Sequence, residues 1–156
     1  MLSVFILFVA CADRKQSKSD LINGTFPELQ EELRIVVMAI IKDAETANIE
    51  GLQSAHLNGD KFTKFGPRNF DRQDLESTNK SEAAFFSAVS DYKQEIKDMK
   101  IDMFGDIGIV TYYPHVSFVR NGETKHGSGR QTFVFLRTGH GWKIVHEHGT
   151  ARQQAD

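Results

Sequence analysis

At 156 residues, 40% hydrophobic and 26% charged, the chain has the length and composition of one globular domain with an ordinary core. A formal net charge of -2, with no Lys/Arg block, excludes a phosphate-tracking surface, so nucleic acid is not an expected partner. Twelve phenylalanines predict an aromatic-rich core.

Residues 1–11, MLSVFILFVAC, form an apolar run too short to span a bilayer as a helix. The run reads as the apolar part of a signal peptide. It ends in Phe8-Val9-Ala10-Cys11, which resembles the lipobox of bacterial lipoproteins, whose cysteine is lipidated. The resemblance implies lipid attachment at Cys11, a bacterial cell-envelope location, and membrane contact through that anchor alone. Cys11 is the single cysteine, so no intrachain disulfide can form. Residues 12–24 are polar and suit a tether between anchor and domain.

The domain is expected over residues 25–151, with 152–156 as a tail. Thr25 and Glu28 have capping-box spacing around Pro27, which predicts a helix start. Leu29, Leu33, Val36, Val37, Ile40, Ile41 and Ala44 continue as one apolar stripe. Ala47, Ile49, Leu52 and Ala55 predict a shorter helix that stops at Asn58-Gly59-Asp60. His56, at its end, is expected to be solvated. Phe62 to Phe65 reads as a short strand or turn, and residues 68–78 as irregular. Asn79-Lys80-Ser81-Glu82 has the spacing of a second capping box, opening a helix that carries Ala83, Phe85, Phe86 and Val89.

Beyond residue 93 the period changes to two. Met99, Ile101 and Met103 alternate, and β-branched and aromatic residues crowd Ile109–Val119, Gln131–Arg137 and Trp142–His148. Helices followed by strands predict an α+β fold, with helices on one face of an antiparallel sheet of about four long strands. Pro114 inside a strand pattern predicts an edge position or a bulge, and hence a bend. A strongly bent sheet closed by helices makes a cone-shaped roll with one apolar pocket.

The closing segment, from Arg130-Gln131-Thr132-Phe133-Val134-Phe135 through Thr138-Gly139-His140-Gly141 to Trp142-Lys143-Ile144-Val145-His146-Glu147-His148-Gly149-Thr150-Ala151, resembles the final hairpin of SnoaL-like proteins in the nuclear transport factor 2-like superfamily. It is similar in particular to the association domain of calcium/calmodulin-dependent protein kinase II. That resemblance implies the cone fold and a homodimer formed through the sheet. It carries the association domain's three pocket arginines to Pro114, Phe133 and Gly149, so the cavity here is expected to be more apolar.

Strict alternation along the last strand puts Trp142, Ile144, His146 and His148 on one face and Lys143, Val145 and Glu147 on the other. His146, Glu147 and His148 therefore cannot converge unless the strand bulges. The His146/His148 pair could ligate a metal only with further ligands such as His115 or His126, and neither a metal nor a cofactor is expected. By the resemblance, Glu147 faces the cavity with Phe133 and Phe135. Among apolar groups its carboxyl would have a raised pKa and could serve as acid or base with Tyr112. The competing reading pairs Glu147 with Lys143, Arg130 or Arg137 across the hairpin. The candidate pocket comprises Phe133, Phe135, Tyr112, Glu147, His146, His148 and Arg130. The expected function is binding of a small organic ligand. The alternatives are an isomerase, cyclase or hydratase using Glu147 with Tyr112 or a histidine, and an interaction module acting through its sheet face.

Overall fold

The computed structural model describes residues 20–67 and 69–152. Cys11, the apolar run before it and most of the tether lie outside these residues. Asp20 to Gly24, expected as tether, form a turn in which Asp20 Oδ1 accepts from the Ile22 and Asn23 amides.

Helix α1 spans Pro27–Glu45, and helix α2 spans Ile49–Ala55. Pro27 opens α1, as its fixed φ and missing N–H allow. The Thr25 capping box does not form: Phe26 is the cap residue and makes no side-chain cap bond. Leu33, Val37, Ile41 and Ala44 are the buried stripe. Asn48 caps α2 by accepting from the Gly51 amide at 3.2 Å. Strand β1 covers Thr63–Phe65 and helix α3 covers Leu75–Ser87. The start of α3 corrects the second expected capping box. Asp74 is the true cap, accepting from Ser77 N at 2.8 Å, so Asn79, Ser81 and Glu82 lie inside the helix. Among the described residues no helix is long and apolar enough to cross a membrane.

Four long strands follow: β2 (Ser90–Phe104), β3 (Ile107–Arg120), β4 (Glu123–Thr138) and β5 (Gly141–Ala151). They form antiparallel hairpins in the order β5-β4-β3-β2, and β1 adds to β5 in parallel. Asn121 and Gly122 turn β3 into β4, both at positive φ as a two-residue hairpin requires. Pro114 is not at an edge, because β3 lies between β2 and β4. The β3–β4 pairing instead skips Tyr113 and Pro114, and β2 bulges opposite, between Lys97 and Lys100. The bend expected from Pro114 is thus absorbed by a lapsed ladder and a bulge on the next strand.

α1 lies across this sheet. Leu33, Val37 and Ile41 pack with Ile101, Met103, Val110, Phe135, Trp142 and Ile144. Gly108 permits the approach, since a Cβ there would stand 2.3 Å from Leu33 Cδ2. Each fully buried large side chain, such as Leu33 or Phe135, contributes about 1.5–3 kcal/mol.

β5 carries the feature that sets the site. Phe135 pairs with Ile144, but Val134 pairs with His146, so Val145 is an extra residue in the strand. This bulge reverses the alternation. Trp142 and Ile144 are buried before it, while Glu147 and Gly149 take the interior face after it.

Candidate functional site

The concave face of the sheet, α2 and α3 enclose a cavity of about 1010 Å³. Alternate residues of β3, namely Tyr112, Pro114, Val116, Phe118 and Arg120, run along its wall. Gly127 and Gly149 line the facing strands next to Val116 and Gln131, and their missing side chains leave room, while Gly129 lets β4 approach the Thr150 backbone. Pro114, Phe133 and Gly149, the positions to which the resemblance carried the pocket arginines, all line the cavity. Phe85 stacks edge-on against Phe118, and Phe86 against Tyr92, closing the wall from the α3 side.

At the inner end four ionisable side chains meet. β1 pairs with β5 so that Lys64 stands opposite Glu147. Lys64 Nζ lies 3.1 Å from Glu147 Oε1 and 2.8 Å from Glu82 Oε1. The Leu57 amide donates to the Ile144 carbonyl at 2.8 Å, drawing the end of α2 onto β5. This brings His56 Nε2 to 3.8 Å from both Glu82 Oε1 and Glu147 Oε2. His56 is buried, which corrects its expected solvation. Its ring lies 4.7 Å from that of Phe62, and its Nδ1 has no hydrogen-bond partner among the described residues. Gln131 Nε2 donates to Glu147 Oε1 at 3.2 Å.

The electrostatics of Glu147 overturn the expected raised pKa. Burial pushes the carboxyl up, but the Lys64 ammonium and the His56 imidazole outweigh it and hold the pKa at about 2. Burial likewise opposes the charge on Lys64, yet the Glu147 and Glu82 carboxylates raise its pKa overall. Glu147 is therefore an ionised, fixed charge near neutrality rather than a proton donor. Its partner is Lys64 of β1, not Lys143, Arg130 or Arg137 of the hairpin. His56, Glu82 and Glu147 place ligand atoms within 4.8 Å of one another, a spacing that could suit a metal ion. Lys64 Nζ already occupies the cationic position between the two carboxylates.

Next to this cluster Tyr112 Oη accepts from Gln94 Nε2 at 3.3 Å, and Tyr92 donates to Gln94 Oε1 at 2.7 Å. Burial pushes the Tyr92 hydroxyl up to about 12 and that of Tyr112 higher still, so both stay protonated. Tyr112 keeps its own O–H proton available to a ligand acceptor, having no acceptor among the described residues.

The remaining predicted residues divide by geometry. Glu147, Tyr112 and Phe133 line the cavity together. Phe135 instead packs in the core with no exposure, because its β5 partner is Ile144 on the buried side of the bulge. His146 and His148 do not line the cavity, because the Val145 bulge turns them to the opposite face of the sheet. There His146 Nδ1 hydrogen-bonds Thr63 Oγ1 at 2.8 Å, and Phe65 lies edge-on to both rings. Arg130 is exposed and borders both the cavity and a second depression of about 520 Å³. Sequence reasoning missed Lys64, Glu82, Gln94 and Gln131, and misplaced His56. The available signal was Lys64 between Phe62 and Phe65, a lone charge in a strand that proves to be covered on both sides.

Residues 34–151 match the SnoaL-like domain family. The chain belongs to the SnoaL-like family. Solved structures agree with the fold of this SnoaL-like domain. It is similar to a candidate dehydratase of the nuclear transport factor 2-like family from Streptomyces avermitilis, with TM-score 0.75 and 18% identity over 83% of this chain and 100% of that one. A nuclear transport factor 2-like superfamily protein from Salmonella enterica serovar Typhimurium has TM-score 0.74 and 17% identity, over 83% and 95% of the two chains. A protein of unknown function with the same fold from Pseudomonas putida has TM-score 0.71 and 15% identity, over 85% and 93%. No curated protein sequence matches the chain. At these identities the likeness speaks to the fold, and folds of this kind carry unrelated activities.

Proposed function

We propose that this SnoaL-like protein binds a small, largely apolar organic molecule on the concave face of its sheet. The observation that carries this reading is the cavity of about 1010 Å³, with aromatic walls and a hydrogen-bonding inner end. Small-molecule sites of roughly 300–1,000 Å³ commonly have this build. Phe85, Phe86, Phe118 and Phe133 supply apolar surface, and Tyr112 and Gln94 fix orientation. A titration with the neutral apolar dye Nile red tests the reading. Saturable binding that Val116→Trp removes supports it, and absence of saturable binding to the folded protein sinks it.

A second reading is an acid/base enzyme of the isomerase or dehydratase type. It is favoured by a buried imidazole at the cavity between two carboxylates. His56, buried at the cavity within reach of Glu82 and Glu147, takes the proton-carrying part first given to Glu147, with Tyr112 donating to an oxyanion. The similar Streptomyces protein, a candidate dehydratase, makes this chemistry worth testing. Enolisable ketones in D2O would exchange their α-protons with the wild type and not with His56→Gln. Retained Nile red binding by that variant would exclude misfolding.

We also propose that the domain is exported and held at a bacterial membrane through Cys11, on the support of the apolar run and the polar tether. Fractionation of Cys11→Ser checks this, because the variant should leave the membrane. A homodimer through the convex sheet face, where Tyr113 is exposed, is the proposed assembly. Light scattering on the purified domain measures it. If the cavity binds nothing and the dimer is stable, the interaction-module reading gains.

A further inference from the structure

Among the described residues, Arg120 is the cavity-lining guanidinium that lies against the aromatic wall. Its Cζ lies 5.4 Å from the Phe85 ring centroid and 5.8 Å from that of Phe118. Its Nε is buried and has no hydrogen-bond partner among the described residues, and no carboxylate pairs with it there. A guanidinium carries five donors and never loses its charge in this setting. An unsatisfied buried donor of this kind costs stability, so in a native structure it asks for a reason.

The other charges along the cavity give the reason a direction. At the hairpin end, between β3 and β4, the ionisable lining residues are Arg120, Lys125 and His126; Lys125 is bonded to Glu123, the cross-strand neighbour of Arg120, which leaves Arg120 as the guanidinium there with no ion pair among the described residues. At the inner end, Glu82 and Glu147 are present, and Lys64 is already engaged by both. An anion is therefore repelled from the inner end and attracted to the outer one. Tyr112 and Arg120 lie on the same face of β3, separated by roughly 26 Å of strand at about 3.3 Å per residue. The strand bends between them, so the span through space is shorter.

We infer that the ligand is an elongated apolar acid: a hydrocarbon or aromatic body lies along β3, and a carboxylate at one end is bound by Arg120. The planar guanidinium lies against the Phe85 and Phe118 rings, and its paired N–H donors suit a carboxylate. This rests on the cavity being a ligand site and adds the ligand's chemical class and orientation.

Matched probes that share a chain test the inference: dodecanoate, dodecan-1-ol and dodecylammonium, each titrated by calorimetry below its aggregation concentration. The wild type should bind dodecanoate about tenfold or more tightly than the alcohol, and the ammonium most weakly. Arg120→Gln should remove the preference for the acid while leaving the alcohol's affinity within about twofold. Arg120→Lys should restore part of it. If acid and alcohol bind the wild type equally, or Arg120→Gln weakens both alike, Arg120 serves only to pack the wall and the inference is overturned while the binding reading stands. If none of the three probes binds while Nile red does, the inference is overturned and the binding reading stands; if Nile red does not bind either, both fail.

Discussion

Lys64 and Glu147 face one another across the parallel β1–β5 pairing, with Nζ 3.1 Å from Oε1 and each side chain almost covered. A short parallel strand and the end of the last hairpin are thus joined by charge as well as by backbone hydrogen bonds. Breaking such a pair from one side strands the other charge. Lys64→Met should cost about 3–5 kcal/mol in urea denaturation. Adding Glu147→Gln should recover at least about 1 kcal/mol, because the two positions are in contact and their effects are not additive. A loss in the double variant equal to the sum of the two single losses would deny the coupling.

The same pair predicts a pH profile. Glu147 has its carboxyl lowered from 4.5 to about 2 in the fold. A depressed carboxylate stabilises the fold fully above its unfolded pKa, and the contribution fades as pH falls from 4.5 towards 2. Its size is about 3 kcal/mol. Lys64 has a raised pKa, so its contribution is complete below 10.5 and is lost as pH climbs through the folded value. Denaturation midpoints should hold level between these limits and drop on the acid side. Glu147→Gln should flatten that acid drop, and an unchanged profile would contradict the assignment.

Filling the cavity separates binding from folding. Val116 and Phe118 share the lined face of β3, and Gly127 stands across from Val116, where a Cβ would come within 3.2 Å of Val116 Cγ2. Val116→Trp should lower Nile red affinity by tenfold or more while far-UV circular dichroism stays unchanged. Gly149→Ala is a finer probe. Its Cβ would meet Gln131 Oε1 at 3.0 Å, displacing the amide that donates to Glu147. A smaller loss of affinity, of about two- to fivefold, is expected there.

His146 offers the opposite control. Its imidazole bonds Thr63 on the face of the sheet away from the cavity. Thr63→Val should cost about 1 kcal/mol of stability, as loss of one partly buried hydrogen bond does. Neither Thr63→Val nor His146→Ala should move dye affinity by more than twofold. A large effect on binding would put the histidine back in the pocket.

Much of this architecture was legible in the residues. The stripe from Leu33 to Ala44 and the alternating runs after residue 93 follow local periods, so α1 and the four hairpin strands appear in the expected order, although β4 begins at Glu123 rather than Gln131 and β2 at Ser90, which leaves Val89 beyond the end of α3. Pro27 was legible as a first-turn residue, although the accompanying Thr25 cap does not form. The start of α3 was obscured because Asn79 and Glu82 imitate a cap, while Asp74 and Ser77 form the real one. The site was harder to read. Its four ionisable groups come from α2, β1, α3 and β5, and only tertiary packing joins them. Alternation also failed at Val145, an ordinary strand residue with nothing local to mark it as the extra one. Glu147 was rightly placed with Phe133, but its neighbours were not foreseen, so its acidity was judged in the wrong direction.

The extra residue at Val145 means that the chemistry offered to the cavity depends on a count rather than on a side chain. Were the same residues paired without the bulge, in strict alternation from the buried Trp142 and Ile144, His146 and His148 would take the inner wall in place of Glu147. Relatives that pair this strand without the bulge would therefore present different chemistry to a ligand while retaining every residue. Comparison of such proteins by aligned letters alone would equate positions that face opposite sides of the sheet.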